Sequence, residues 1–173
     1  MLGLVDKIPD SSGYDLAAVA GRSLAHFWPI SQTLLYRELD RLTDLGWVAA
    51  TRVEQVRAPG KWTYRTTAAG RDALAEWLAG PVRAKSSYRS GFLLRFFFAY
   101  RMDRNQLHSL LEEYRQTLQS QRDEFEAITN KLQAVGTAEA RAGRMTALHG
   151  LRTVEARLAW TDEVEALWGA DPS

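Results

Sequence analysis

The sequence predicts a mainly α chain with a small β-hairpin, its helices divided between an N-terminal head and a C-terminal tail. Three observations predict it. Apolar residues recur at three- and four-residue intervals over most of the chain. Residues 47–67 break that rhythm, with aromatic and β-branched side chains on either side of Ala58-Pro59-Gly60. The two longest periodic runs, 103–135 and 137–168, have only Gly136 between them. A chain of 173 residues has room for a small domain and a helical extension, and 46% hydrophobic with 25% charged residues is ordinary for a globular protein with a core.

The elements follow in order. In IPDSSGYD, Pro9, Ser11, Ser12 and Gly13 interrupt the chain and prepare a helix that begins near Ser12 and runs through Tyr14 to Leu24. Proline disfavours helical geometry in the residue before it, so Trp28-Pro29 reads as a turn. Ser31 is a natural N-cap for a second helix, whose Leu34, Leu35, Leu39, Leu42 and Leu45 form an apolar stripe and whose polar flank carries Gln32, Thr33, Tyr36, Arg37 and Arg41. Gly46 ends it. The hairpin comes next, then a helix from Thr67 with Ala73, Leu74, Trp77 and Leu78 apolar, stopped by Gly80-Pro81. Trp47, Trp62 and Trp77 are expected in the core or packed against the hairpin. Residues 1–80 are therefore expected to form the head, 81–102 a linker and a short buried core helix at FLLRFFFAY, and 103–173 a long-helix dimerisation domain. Asp103 and Gln106 have the spacing of a capping box at the start of that domain.

Several function classes fall away. Without cysteine there is no disulfide, thiolate nucleophile or cysteine-held metal. His26, His108 and His149 lie on separate segments without metal-ligand spacing, so neither metal nor cofactor is expected. No nucleophile, base and orienter fall together, and an enzyme is not expected. The opening residues lack the apolar centre of a signal peptide, and the run at 92–100, interrupted by Arg95, is far short of the roughly 20 residues that span a bilayer. A cytoplasmic protein without membrane contact is expected.

Helix, turn, amphipathic helix, basic hairpin and helix is the order of a winged helix-turn-helix, in which the second helix enters the major groove of DNA and the hairpin reaches alongside. The net charge of +1, with nine basic and nine acidic residues among the first 80, does not announce such a partner. The local signal is the hairpin, where Arg52, Arg57, Lys61 and Arg65 face only Glu54. Ser31, Gln32 and Thr33 open the second helix where base edges and phosphates are met; Gln32 suits adenine, and Arg37 suits guanine or phosphate.

The string GYDLAAVAGRSLAHFWPISQTLLYRELDRLTDLGWVAATRV, followed by PGKWTYRTTAAGRDALAEWL, resembles the phenolic-acid-decarboxylase repressor (PadR) family of winged-helix regulators over about Leu2 to Leu78. Gly13-Tyr14, Phe27-Trp28, Leu35-Tyr36, Leu39 through Gly46, Tyr64, Thr67 and Gly70 carry it. FLLRFFFAYRM and the two long helices after it resemble the virulence-activator-like C-terminal region of larger members. The resemblance implies double-stranded operator DNA as partner and phosphate contacts from Tyr14 and Tyr36, for which packing against a neighbouring element is the alternative. It also implies a homodimer. Leu151, Val154 and Leu158 on one side of the last helix, with Trp160 and Leu167 on another, are the candidates for dimerisation. Aromatic residues between the helices point either to a pocket for a small aromatic or hydrophobic effector or to plain core packing. Two departures from the family are expected to matter: the chain reaches Leu2-Gly3-Leu4 almost at once, which points either to a truncated first helix or to a misassigned start, and Arg37 stands where proline is frequent. The expectation is a DNA-binding regulator, a repressor by analogy, with DNA contacts at Tyr14, Ser31, Gln32, Thr33, Tyr36, Arg37, Arg41 and Lys61; the rival is an adaptor whose winged domain binds protein.

Overall fold

The structure, a computed structural model, describes residues 1–54, 60–81 and 90–169. The chain forms two compact units, Met1–Lys85 and Ser86–Ser173.

The first unit begins with α1 (Leu2–Lys7), which buries Leu4 and Val5. Asp10 then turns the chain at φ 60° and donates its backbone N–H to the Tyr64 carbonyl at 2.9 Å. This sets up β1 (Ser11–Ser12), a two-residue strand that lies antiparallel to β3. Ser12 also caps α2 (Gly13–Ser23): its Oγ accepts from the Asp15 amide at 3.2 Å, while the Asp15 carboxylate accepts from the Ser12 amide at 3.0 Å. After a turn over residues 24–27, just before the expected Trp28-Pro29, Ser31 Oγ accepts from the Leu34 amide at 3.3 Å and starts α3 (Gln32–Asp44). Gly46 leaves α3 at φ 70°, a conformation in which a side chain is strained.

The hairpin of β2 (Val48–Val53) and β3 (Lys61–Thr66) pairs Val48 with Thr66 at its base and Val53 with Lys61 near its far end. Sheet order is β1-β3-β2, so a third strand too short to leave a periodic signature completes the expected hairpin. Arg57 and the Ala58-Pro59 part of the expected turn lie outside the described residues. Thr67 accepts from the Gly70 amide at 3.0 Å and donates to the Gly46 carbonyl at 2.7 Å, which fixes the start of α4 (Ala68–Ala79) beside the end of α3. Gly70 has a steric reason: a Cβ there lies 2.0 Å from the Trp47 carbonyl oxygen. The core collects Leu16 and Ala20 of α2, Leu35, Leu39 and Leu42 of α3, Val48 and Tyr64 of the sheet, and Leu4 and Val5 of α1. Trp47 packs against it. Trp62 and Trp77 do not, at 51% and 74% exposed, which corrects the expectation for both. Trp62 lies near the far end of the hairpin and Trp77 on the last turn of α4, beyond the reach of the core.

The second unit holds α5 (Gly91–Phe97), a 3₁₀ turn at Ala99–Arg101, α6 (Arg104–Gln133) and α7 (Ala138–Gly169). Residues 82–89 of the expected linker lie outside the described residues. The Asp103 carboxylate accepts from the Gln106 amide at 2.9 Å and Gln106 Oε1 from the Asp103 amide at 3.0 Å, closing the expected capping box. α6 and α7 share a seam of Leu118, Phe125, Ala147, Leu151 and Val154. Gly150 admits the Phe125 ring, because a Cβ there lies 2.5 Å from two ring atoms. Beside the seam, Arg115 donates to Asp162 at 2.6 Å and to Glu165 at 2.8 Å. A second cluster joins Ala99, Leu107, Leu111 and Val164, with Phe92, Phe96 and Trp160 packed on it. Phe92 stacks on Tyr114, ring centroids 3.6 Å apart.

The helix at FLLRFFFAY is not the buried helix its composition predicts. Leu94, Phe97, Phe98 and Tyr100 are exposed, Phe97 by 75%. A seven-residue helix that is apolar all round turns only one stripe, here Phe92 and Phe96, toward α6 and α7, and the rest faces outward. Among the described residues no helix is long and apolar enough to cross a membrane.

Candidate nucleic-acid interface

Three elements of the first unit meet in one concave surface. Ser12, Gly13, Tyr14 and Asp15 come from the start of α2, Tyr36 and Asp40 from α3, and Lys61, Trp62 and Tyr64 from β3; together they line a groove of about 630 Å³. The folding reasons are local. The capping box fixes the first turn of α2, the Ser31 cap fixes the start of α3, and the pairing of Ser11 with Tyr64 and Ser12 with Thr63 ties β3 to the same spot. Tyr64 is buried at the floor, and burial pushes its phenol above its ordinary value, which keeps it neutral. Asp15 is held below the usual carboxylate range, first by the Ser12 hydroxyl, then by the Ser12 amide, with help from the charge of Lys61.

The sequence-predicted residues divide into three sets. Tyr14, Tyr36 and Lys61 come together in the groove. Gln32, Thr33 and Arg37 lie exposed on α3, and the hydroxyl of Ser31 is occupied as the cap of that helix. No ion pair or hydrogen bond from the described residues engages the side chain of Arg37 or Lys61, so both cations remain available. Arg41 is committed along its own helix, donating through Nε at 3.1 Å and Nη2 at 3.0 Å to the Glu38 carboxylate.

The basic hairpin is less basic than its sequence. Arg52 pairs with Glu54 at 2.9 Å. Arg65 reaches across to Asp10 with two hydrogen bonds, Nε to Oδ1 at 2.8 Å and Nη2 to Oδ2. The Arg65 guanidinium holds Asp10 below the usual carboxylate range. The two arginines flanking Lys61 in the fold are thus neutralised within the unit, and Lys61 carries the positive charge of the groove.

Sequence reasoning did not assign the other six groove residues to the site: Ser12, Gly13, Asp15, Asp40, Trp62 and Tyr64. Asp40 was legible from spacing, four residues after Tyr36 and three after Arg37 on one helix face. Among the dimerisation candidates, Leu151 and Val154 are buried in the seam of α6 and α7, and Leu158 packs beside them. Trp160 sits edge-on to Phe92 and Phe96, and Leu167 is 75% exposed.

Helices α2 and α3, the turn between them and the hairpin beyond make the first unit a winged helix, joined in sequence to a tail of two long helices. Residues 1–76 match the model of the transcriptional regulator PadR-like family, and residues 88–168 match that of the virulence activator alpha C-terminal region. Residues 1–76 are thus a PadR-like transcriptional-regulator domain, followed by a virulence-activator-like C-terminal region. That family is one of regulators and not of enzymes.

A probable transcriptional regulator of Mycobacterium tuberculosis is 40% identical over 72 residues, which span 42% of this chain and 38% of that protein. The negative transcriptional regulator PadR of Bacillus subtilis is 27% identical over 134 residues, 78% of this chain and 73% of that one. The crystal structure of Bacillus subtilis PadR in complex with operator DNA matches with a TM-score of 0.84 at 22% identity, covering 96% of this chain and 94% of that one. The same protein in complex with p-coumaric acid matches with a TM-score of 0.77 at 21% identity, covering 96% and 94%. At these identities the structural likeness speaks for the fold.

Proposed function

We propose that the chain binds double-stranded operator DNA as a homodimer, with α3 in the major groove and the β2–β3 wing beside it, and represses the promoter it occupies. The observation that carries the reading is the groove itself: Tyr14, Tyr36 and Lys61, brought from three elements, flank the exposed face of α3 that presents Gln32, Thr33 and Arg37. Two tyrosine hydroxyls and a lysine suit phosphate oxygens, and Gln32 and Arg37 suit base edges. Asp40 adds an acceptor that suits the N4 amine of cytosine.

The homodimer rests on the second unit, where Leu94, Phe97, Phe98, Tyr100 and Leu167 leave apolar surface in water. Burying such surface against a second copy contributes about 25 cal/mol per Å². A small aromatic effector that favours a non-binding arrangement of the dimer releases it from DNA. Its support is the p-coumaric acid complex of the Bacillus protein, together with the aromatic residues of the second unit.

The experiment is a titration of a labelled promoter fragment from the adjacent genomic region with the full chain, at several salt concentrations and against competitor DNA. Binding that prefers the promoter and weakens steeply with salt supports the reading. Binding indifferent to sequence, or unaffected by replacing Arg37 and Lys61 with alanine, sinks it in favour of a protein-binding role. Adding p-coumarate and related aromatic acids tests release in the same assay.

A further inference from the structure

The glycine that opens α2 is unexplained by the DNA-contact residues, and its surroundings give it a role. A Cβ built on Gly13 lies 2.4 Å from Cε1 of Tyr36, 2.9 Å from Cζ and 2.9 Å from the hydroxyl oxygen. The ring of Tyr36, on α3, therefore occupies the space that any other side chain at position 13 would take. Its hydroxyl has no hydrogen-bond partner among the described residues and stands at the groove that Gly13 also lines.

We propose that Gly13 is a positioning residue for DNA binding: it leaves the first turn of α2 bare so that the Tyr36 ring seats across it, with the hydroxyl held at the groove for a backbone phosphate. The inference rests on the DNA-binding reading above. Freezing a tyrosine in the free protein spares the complex the cost of ordering it, which is how preorganisation raises affinity.

The nature of the contact decides how a substitution acts. At Gly70 the obstructing atom is a backbone carbonyl, which yields only if the fold shifts. At Gly13 the three nearest atoms all belong to the one side chain of Tyr36, which is partly exposed and yields by swinging aside. Alanine at 13 thus displaces Tyr36 and leaves the head folded. Alanine also suits a helix better than glycine.

The test is a double-mutant cycle on the full chain, read by promoter affinity and by thermal unfolding. Gly13→Ala is expected to weaken promoter binding by about tenfold or more, the scale of one hydrogen bond to a charged group, with no loss of thermal midpoint. Tyr36→Ala is expected to weaken it at least as much, and Gly13→Ala added to Tyr36→Ala to change nothing further. Equal losses from Gly13→Ala in both backgrounds overturn the inference, as does promoter binding by Gly13→Ala at the wild-type level. If Tyr36→Ala binds like wild type while Lys61→Ala does not, this inference fails and the DNA-binding reading stands. If the wild-type chain binds no DNA, both fail.

Discussion

The two units close their cores differently, and on the proposed reading the difference separates DNA binding from assembly. The head turns its leucines inward around Leu16, Leu35 and Leu39 and leaves outside a groove of tyrosine, tryptophan, lysine and aspartate. The tail closes a long seam between α6 and α7 but leaves Leu94, Phe97, Phe98 and Leu167 in water. A groove that carries hydroxyls and a free cation suits a charged polymer, and exposed apolar side chains suit a second apolar surface.

The comparison is broken most severely by emptying either core. Leu39→Ala in the head and Leu118→Ala in the tail each remove a fully buried side chain. Each is expected to cost about 3 kcal/mol in urea unfolding. If the units are energetically separate, each substitution lowers the denaturation midpoint of its own unit. A single shared transition that moves equally with either contradicts separate units. Gly70→Ala forces a Cβ onto the Trp47 carbonyl and is expected to cost the head about 2 kcal/mol by the same measurement. A stability unchanged by this substitution would show that α4 does not hold the position described.

Smaller effects sharpen the contrast between the surfaces. Phe97→Ser is expected to leave the helical circular dichroism of the chain intact and to shift sedimentation toward the monomer, because Phe97 is 75% exposed and its ring meets only the neighbouring, exposed Phe98 ring among the aromatic contacts of the described residues. Lys61→Ala is expected to lower the salt dependence of promoter binding by about one unit of slope, whereas Arg65→Ala, whose guanidinium is held by Asp10, leaves that slope unchanged. Equal slopes for the two variants refute the assignment of the groove charge to Lys61.

The smallest effect is that of acid on the head. Asp10 and Asp15 both have folded values below the ordinary carboxylate value of 3.8. Their contribution is complete above that value and is lost as pH falls through the lowered ones. The wild-type head is therefore expected to lose stability below about pH 4, and Asp10→Asn with Asp15→Asn to flatten that loss.

Much of this was legible because it is local. Ser31, Thr67 and the Asp103-Gln106 pair cap the helices that their spacing assigns them, and Leu35, Leu39 and Leu42 bury the stripe that they spell. What escaped is set by distance in sequence. Arg65 reads as a phosphate contact until Asp10, 55 residues earlier, is found against it. Ser11 and Ser12 read as a turn because two residues have no period, yet they pair with β3 and bring α2 to the wing. Hydrophobicity gave the composition of α5 but not its orientation, since a helix apolar on every side does not declare which stripe is covered. Of the groove, Tyr14, Tyr36 and Lys61 were legible, whereas the role of Gly13 needed the ring that lies over it.

The central claim, a winged head that reads DNA carried in pairs by a helical tail, is tested most directly by hydroxyl-radical footprinting of the promoter with the full chain. The account predicts two protected half-sites of inverted sequence about one helical turn apart, roughly 34–36 Å, with both protections lost together in Phe97→Ser at low protein concentration. A single protected patch, or protection without sequence preference, would contradict it.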